Sequence, residues 1–431
     1  MLLHATKALS NLSKGLRLGA GATWPGEIAL RFDPFILSDL AKQLDSIVLV
    51  AGTNGKTTTA KMITEIIKEN GKKGVIHNET GANLLNGITS VLIQDTNALG
   101  KLQSTIGIFE VDENSLPLLL KEFTPNVVVL LNLFRDQLDR YGEVDLIANN
   151  WLEALKHLPK STTLIINADD PHLAYIGKQI SAKVKYFGLN DKKYFLSTTP
   201  HAADTLYCPN CGKRLHFSGH YLSHLGEWNC EACNFKHPKN DLSGKGVKSP
   251  LPGLYNVYNT LAALLTVKEL GIDVGAYGHT PLRDFTPAFG RQEEFIVGEK
   301  KVKIFLSKNP AGFNASLSTV LSQNPHAILF VLNDQVPDGR DVSWIWDVDF
   351  EMIADSRRSI ATFVSGDRVY DMGVRLKYAG LLLTPSLIYA DLKNALKAGL
   401  DAIGVGETLY VLPTYSAMLE VRKILGGRKI L

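Results

Sequence analysis

The sequence predicts an α/β protein built on parallel sheets, and three observations carry that prediction. Short apolar runs without polar alternation recur along the chain, the mark of strands covered on both faces. Helical patterns separate these runs, as crossovers between parallel strands require. Two breaks in composition divide the alternation. One is a stretch near 195–250 rich in cysteine and histidine. The other, at 281–292, contains Pro, Gly and Arg, and strand–helix alternation resumes after it.

In chain order, residues 1–45 read as a basic helical segment. The first 26 contain Lys7, Lys14 and Arg17, no acid, and no continuous apolar stretch of a secretory leader. A basic surface helix, a helix resting on an anionic membrane surface and an organellar presequence all fit that composition. Residues 46–290 form a first α/β unit, with strands expected at Ile47–Val50, Gly74–Ile76, Ile106–Phe109, Val127–Leu131 and Leu164–Ile166. The cysteine-rich module at 197–245 is an insert within it. Residues 291–431 form a second, Rossmann-like α/β unit, with strands at Ile328–Leu332, Ile360–Val364 and Tyr410–Leu412.

Composition narrows the function. A chain of 431 residues with 45% hydrophobic and 21% charged residues has ample core material and is not a disordered or fibrous protein. Lys and Arg number 46 against 43 Asp and Glu, a balance that argues against a nucleic-acid-binding coat. No run of 18 apolar residues is present, so no helix is expected to span a membrane. The expectation is a cytoplasmic protein, with the inner membrane surface as the place where it would touch lipid.

The strongest chemical signal follows the first strand. Ala51-Gly52-Thr53-Asn54-Gly55-Lys56-Thr57-Thr58 leads into a helical pattern. Glycines let a turn aim its N–H groups at an anion, and the next helix offers its positive end to the same anion. Lys56 would reach the β- and γ-phosphates of ATP, and Thr57 would place its hydroxyl on Mg²⁺. Val50 stands where the longer form of the phosphate loop has its first glycine, so this is the shorter G-T-N-G-K-T form. One or two carboxylate ligands for Mg²⁺ are expected as well. Glu110, at the C-terminal edge of the Ile106–Phe109 strand, is the first candidate, with Asp112 and Glu113 behind it.

Cys208-Pro209-Asn210-Cys211 and Cys230-Glu231-Ala232-Cys233 show the paired C-x₂-C spacing of a zinc ribbon. Four thiolates would close a tetrahedral Zn²⁺ shell and leave no open position, so the metal would be structural. These are all the cysteines in the chain, so none is left to act as a nucleophile. The neighbouring histidines are expected on the ribbon surface.

These motifs together resemble a known family. Gly52–Thr58 is similar to the ATP loop of Mur ligases and folylpolyglutamate synthases. Asn167-Ala168-Asp169-Asp170, Asn256-Val257-Tyr258-Asn259-Thr260-Leu261-Ala262-Ala263 and Gly290-Arg291-Gln292-Glu293 resemble that superfamily's N-x-D-D turn, its N-x-x-N-x-x-A-A helix and its G-R-x-E segment. The closer resemblance is to MurT-type subunits of lipid II isoglutaminyl synthases. It rests on His77-Asn78-Glu79-Thr80-Gly81-Ala82-Asn83, on Asn132–Glu143, on the cysteine insert, and on Lys308–Asn314 and Leu332–Asp341. The last two segments replace those that hold an incoming amino acid in the amino-acid-adding Mur ligases. The phosphate loop begins about 50 residues in, so the UDP-sugar domain of those enzymes is expected to be missing.

The resemblance implies ATP-dependent amidation of the D-glutamate α-carboxylate in a lipid-linked peptidoglycan precursor, through an acyl phosphate. It implies Gly52, Thr53, Asn54, Gly55, Lys56, Thr57, Thr58, Asn83, Asn256, Asn259 and Arg291 at the nucleotide, and Thr57 and Glu110 at Mg²⁺. Ammonia would come from a GatD-type glutaminase subunit, forming a heterodimer. Asp341 would orient that partner's catalytic His; a loop aspartate capping a helix is the plainer alternative, and Asp347 and Asp349 are the substitutes. Arg135, Asp136, Asp139 and Arg140 form either an i, i+4 salt-bridged helix face or a substrate-positioning group. Two other readings stay open: a free-standing ligase that adds an amino acid, and a non-catalytic ATP-binding adaptor carrying a zinc ribbon.

Overall fold

The computed structural model describes residues 23–71, 74–78, 82–136, 144–196, 200–201, 203–272, 282, 285–287, 289–382 and 384–426. Lys7, Lys14, Arg17, the Glu79-Thr80-Gly81 stretch, Asp139 and Arg140 lie outside the described residues.

Strands β1 (Ser46–Ala51), β2 (Val75–His77), β3 (Ile106–Val111), β4 (Val127–Leu130), β5 (Thr163–Asn167) and β6 (Lys183–Gly188) form at the apolar runs. Strands β7 (His216–Leu222) and β8 (Leu225–Asn229) make an antiparallel hairpin in the insert, and β9 (Leu242–Ser243) returns to the edge of the main sheet. Among the described residues that sheet has seven strands, all parallel, in the order β2-β3-β1-β4-β5-β6-β9. Strand β1 lies beside β4; the connection leaving β1 runs to β2 on one side, and the connection leaving β4 runs to β5 on the other. An open parallel sheet has its ligand crevice at such a point.

Both faces of this sheet are buried, which is why its strands show no polar alternation. Leu49 and Ala51 join one core with Ala29 of α1 (Trp24–Phe32), Leu37 and Leu40 of α2 (Ile36–Ala41), Ile88 and Leu92, and Trp151. Val48 and Val50 point into the other. There they meet Met62, Ile63 and Ile66 of α3 (Lys56–Glu69) and residues of a later helix, Leu254–Glu269. Helices α4 (Leu85–Asp95), α5 (Leu116–Glu122), α6 (Val144–Leu155) and α7 (Pro171–Gln179) cover the first face, and Leu254–Glu269 is α8.

The C-terminal strands β10 (Arg291–Val297), β11 (Lys300–Phe305), β12 (Ala327–Val331), β13 (Ala361–Ser365) and β14 (Thr408–Pro413) form a second sheet, ordered β10-β11-β14-β12-β13. Among the described residues of this sheet, only the β10–β11 pair is antiparallel. Helices α9 (Pro310–Ser322), α10 (Glu351–Asp355) and α11 (Val369–Tyr378) lie over one face, where Phe313, Phe330 and Phe350 pack edge and face together. Helices α12 (Leu392–Asp401) and α13 (Tyr415–Gly426) cover the other. Among the described residues, no helix is long and apolar enough to cross a membrane.

The cysteine module is tied to the first sheet through the Asn167-Ala168-Asp169-Asp170 turn. Asp169 accepts hydrogen bonds from the Tyr258 hydroxyl at 2.6 Å, the Leu189 amide at 2.9 Å and His237 Nε2 at 2.8 Å. Asp170 caps α7 by accepting from the His172 and Leu173 amides at 2.9 and 3.3 Å, and it also receives the Leu133 amide at 2.9 Å. His224 Nε2 lies 3.4 Å from Asp170 Oδ2. His220 and His224 are buried. The insert's histidines are therefore in part structural anchors and not ribbon surface, because two buried carboxylates need partners.

Burial alone would raise the Asp170 carboxyl, but His224 and the Leu133 amide outweigh it and hold it below the ordinary carboxylate range. A depressed carboxyl adds stability that is present above about pH 4 and is lost as pH falls through its folded-state value. Asp170→Ala is expected to cost about 2–4 kcal/mol, the sum of a lost cap and a stranded buried amide. Urea denaturation at pH 7 measures this, and the difference from wild type should shrink in acid.

Candidate active site

Strand β1 ends at Ala51, and the chain turns through Gly52–Gly55 into α3. Gly52 has φ +142° and Gly55 φ +93°, conformations that side-chain-bearing residues rarely adopt. A Cβ on Gly55 would lie 2.2 Å from Asn259 Oδ1. The turn is stitched to the end of β4: the Thr53 amide donates to Asn132 O at 3.0 Å, and the Asn54 amide donates to Asn132 Oδ1 at 2.8 Å. Asn132 Nδ2 returns a bond to Asn54 O at 2.9 Å. The Thr53 hydroxyl donates to Phe134 O at 3.2 Å and accepts from its amide at 3.1 Å. The turn's position is thus fixed by side chains as well as by its own glycines.

Lys56 opens α3 and folds its ammonium back into the turn. It donates to Gly52 O at 2.6 Å and Thr53 O at 3.4 Å, and pairs with Glu113 Oε2 at 3.1 Å. Thr57 and Thr58 are buried in the same first helical turn. The register sets Glu110 on β3 opposite Val50 on β1, so its carboxylate belongs to the strand beside the phosphate turn. Asn78 fixes its backbone, accepting from the Glu110 amide and donating to its carbonyl, both at 2.9 Å. Glu110 is 2% exposed, and its Oε2 has no hydrogen-bond partner in the structure. A buried carboxylate oxygen left that way beside a phosphate turn fits a cation ligand. Asn83 sits before α4, where its carbonyl accepts from the Asp112 amide at 3.0 Å. His77, on β2, is held neutral: burial, helped by Lys68 and Lys61, brings its pKa down to about 4.

A cleft between the two sheets is lined by Asn54, Gly55, Thr58, Asn256, Asn259 and Arg291. Asn259 Nδ2 donates to Asn256 Oδ1 at 3.1 Å, and its Oδ1 accepts from the Thr59 hydroxyl at 3.3 Å. Arg291 begins β10 on the far side. Burial lowers its pKa, while Glu110 draws it back up. Leu222 and Leu225 of the ribbon hairpin, Phe134, Tyr255 and Phe305 give the cleft an apolar wall. Sequence reasoning did not foresee that wall, because a hairpin from the insert builds part of it. One polar end at a phosphate turn and one apolar end match the two halves of a nucleotide.

The four cysteines come together. Their sulfurs all lie within 4.8 Å of one another, with Cys208–Cys233 at 3.7 Å and Cys211–Cys230 at 3.6 Å. Four thiolates at about 2.3 Å around Zn²⁺ span tetrahedral edges of roughly 3.8 Å, so the cluster fits that ion. Burial pushes the Cys208 thiol up to about 12, whereas the Asn210 side-chain amide, 3.3 Å from Cys233 Sγ, helps bring that thiol down to about 6. Metal loading would therefore release protons, and affinity would fall in acid.

The charged run at 135–136 is not a self-contained helix face. Arg135 pairs with Asp204 of the insert and, at 3.3 Å, with Asp347 of the C-terminal part; Asp136 pairs with Lys308. Asp341 is exposed, and its Oδ1 accepts from the Ser343 amide at 2.8 Å, which holds the carboxyl below its ordinary range. Asp347 is engaged with Arg135, and Asp349 with His201 and Asn314.

Residues 50–267 match the Mur ligase middle domain and 306–418 the MurT ligase C-terminal domain. A solved pseudomurein peptide ligase type C from Methanothermus fervidus has the same fold, with a TM-score of 0.64 at 21% identity, covering 89% of this chain and 78% of that one. These findings place the molecule among the Mur ligases, which are ATP-dependent ligases. It is 35% identical to a Staphylococcus aureus protein named lipid II isoglutaminyl synthase (glutamine-hydrolyzing) subunit MurT, over 97% of this chain and 96% of that protein. The Streptococcus pneumoniae protein of the same name is 34% identical, with 96% and 94% covered. The chain belongs to the MurT family.

Gly55→Ala should disrupt the turn through both its φ and its contact with Asn259. The expected outcome is at least a tenfold loss of nucleotide affinity by calorimetric titration, with far-ultraviolet circular dichroism little changed.

Proposed function

We propose that the chain is the ATP-using subunit of an amidotransferase that converts the D-glutamate α-carboxylate of the lipid II stem peptide into the amide of D-isoglutamine. The observation that carries this reading is the Gly52–Lys56 turn opening onto a cleft shared by both sheets. A carboxylate is a poor electrophile at neutral pH. Its oxygen attacks the γ-phosphorus of ATP, the bond to the bridging oxygen breaks, and ADP leaves. Ammonia then adds to the acyl carbon, sheds a proton, and expels inorganic phosphate.

Lys56 and the amides of the turn stabilise charge on the transferring phosphoryl oxygens. Its hold on Glu113 keeps the ammonium inside the turn before ATP arrives. Thr57 and Glu110 would hold Mg²⁺, which supplies further charge neutralisation when bound. Asn256, Asn259 and Arg291 would contact the nucleotide from the two sides of the cleft, and Asn83 would flank it. Cys208, Cys211, Cys230 and Cys233 would hold a structural Zn²⁺.

Ammonia is mostly protonated in neutral water, so a source that delivers it unprotonated is required. All four cysteines are gathered in one cluster, which supports a separate GatD-type glutaminase with its own nucleophile. Asp341 is exposed within a turn and could meet that partner's His, fixing one imidazole tautomer. An apolar stripe adjoins its loop and supports the same site for docking: Tyr370 is 73% and Tyr378 74% exposed on α11, with Val374 between them. Trp346 packs edge-on against Tyr378 at 5.6 Å. Exposed aromatic clusters of this kind mark interfaces. The lipid-linked acceptor would bring the complex to the inner membrane surface.

The test is amidation of lipid II by the purified complex, with ADP release followed in parallel. Lys56→Ala should abolish activity with glutamine and with ammonium alike. Asp341→Asn should remove glutamine-driven activity and spare ammonium-driven activity; equal loss of both would discard the role in trans. Metal analysis should find one zinc per chain, absent from Cys230→Ser, with lower thermal stability in that variant.

A further inference from the structure

The phosphate turn is gripped from the second sheet as well as from its own. Asn54 exchanges two amide hydrogen bonds with Asn309, each 3.2 Å. Asn309 also caps α9, its Oδ1 accepting from the Gly312 amide at 2.8 Å. The residue before it, Lys308, forms a salt bridge with Asp136, and Asn309 Nδ2 reaches the same carboxylate at 3.4 Å. Asp136 lies beyond the end of β4 on the first sheet, and its side chain is only 5% exposed. The Lys308 ammonium is thus held at the seam between the sheets, one residue from the contact with the turn.

Its electrostatic surroundings point the same way. Burial opposes the Lys308 charge, but Asp136 and then Glu113 outweigh it, with Arg291 opposing. Glu113 is the carboxylate that pairs with Lys56. Glu110, in turn, draws on Arg291. Lys56 and Lys308 are therefore each held by a carboxylate beside the turn, Glu113 and Asp136, while Arg291 feels Glu110 at longer range. A dianionic phosphoryl group competes better for an ammonium than one carboxylate does, and lysine's four-carbon stem lets it change partners.

We infer that Lys308 is a phosphoryl-contacting residue. It leaves Asp136 for the γ-phosphoryl group of bound nucleotide, and Asp136 holds it between turnovers. The inference rests on the ATP-dependent ligase reading above and adds to it a cation delivered by the second sheet. Closure of the cleft and neutralisation of the third phosphate then become one event.

The test uses the full chain with its glutaminase partner and calorimetric titration of Mg-AMPPNP and Mg-ADP. Lys308→Met is expected to lose at least tenfold in affinity for AMPPNP and less than twofold for ADP. Asp136→Asn, which frees the ammonium, is expected to raise the AMPPNP-to-ADP affinity ratio severalfold. If the Met variant does not fold, Lys308→Arg serves, with at least a threefold change in that ratio expected. An unchanged ratio, or equal loss for both nucleotides, overturns the inference, since a brace between sheets cannot distinguish a third phosphate. Failure of the broader reading looks different: wild-type complex would amidate without releasing ADP, whatever the ratio.

Discussion

The rest of the structure depends on a six-residue connection, Ala51 to Lys56, hung at the point where the central sheet parts. The connections leaving the adjacent strands β1 and β4 run in opposite directions, to β2 and to β5, so a crevice opens between them. The turn fills that crevice with backbone N–H groups and the start of α3, which attract anions in any protein. Particular to this chain is how firmly the turn is held. Asn132 brackets Asn54 from both backbone directions, and Phe134 exchanges two bonds with the Thr53 hydroxyl. A preorganised turn loses little on meeting a phosphate, and preorganisation is where electrostatic catalysis gets its effect.

The second sheet completes the site. Arg291 opens β10, and α9 begins at Pro310, beside the turn. The cleft's apolar wall comes from four places: Phe134 beyond β4, Leu222 and Leu225 in the insert, Tyr255 on α8, and Phe305 in the second sheet. The cleft therefore draws on segments far apart in the chain. This explains the use of two sheets and an insert where a smaller α/β unit could already have carried a phosphate turn.

Much of this was legible in the sequence. The uninterrupted apolar runs forecast the parallel strands, because burial on both faces leaves no polar side to alternate with. The glycines, Lys56 and Thr57 announced the turn through local geometry alone, and the C-x₂-C pairs announced the cluster through ligand spacing. What escaped was long-range. No local pattern says that Lys56 rests on Glu113, or that Arg135 pairs with Asp204 and Asp347. With four cysteines enough to close a metal shell, the sequence leaves the histidines of the insert to the ribbon surface. In the fold, His224 and His237 answer two carboxylates at the end of β5. Single-sequence reasoning finds motifs whose chemistry is contiguous and misses partners that the topology brings together.

The double-aspartate turn has a consequence for how the cysteine module could be removed. Asp169 and Asp170 are fully buried, and each takes an imidazole from the insert. Excising residues 197–245 would strip both acids of those neighbours and would also remove one wall of the cleft. A trimmed chain would have to recode Asp169, Asp170 and Tyr258 in the same step, so the module is less an ornament than a keystone.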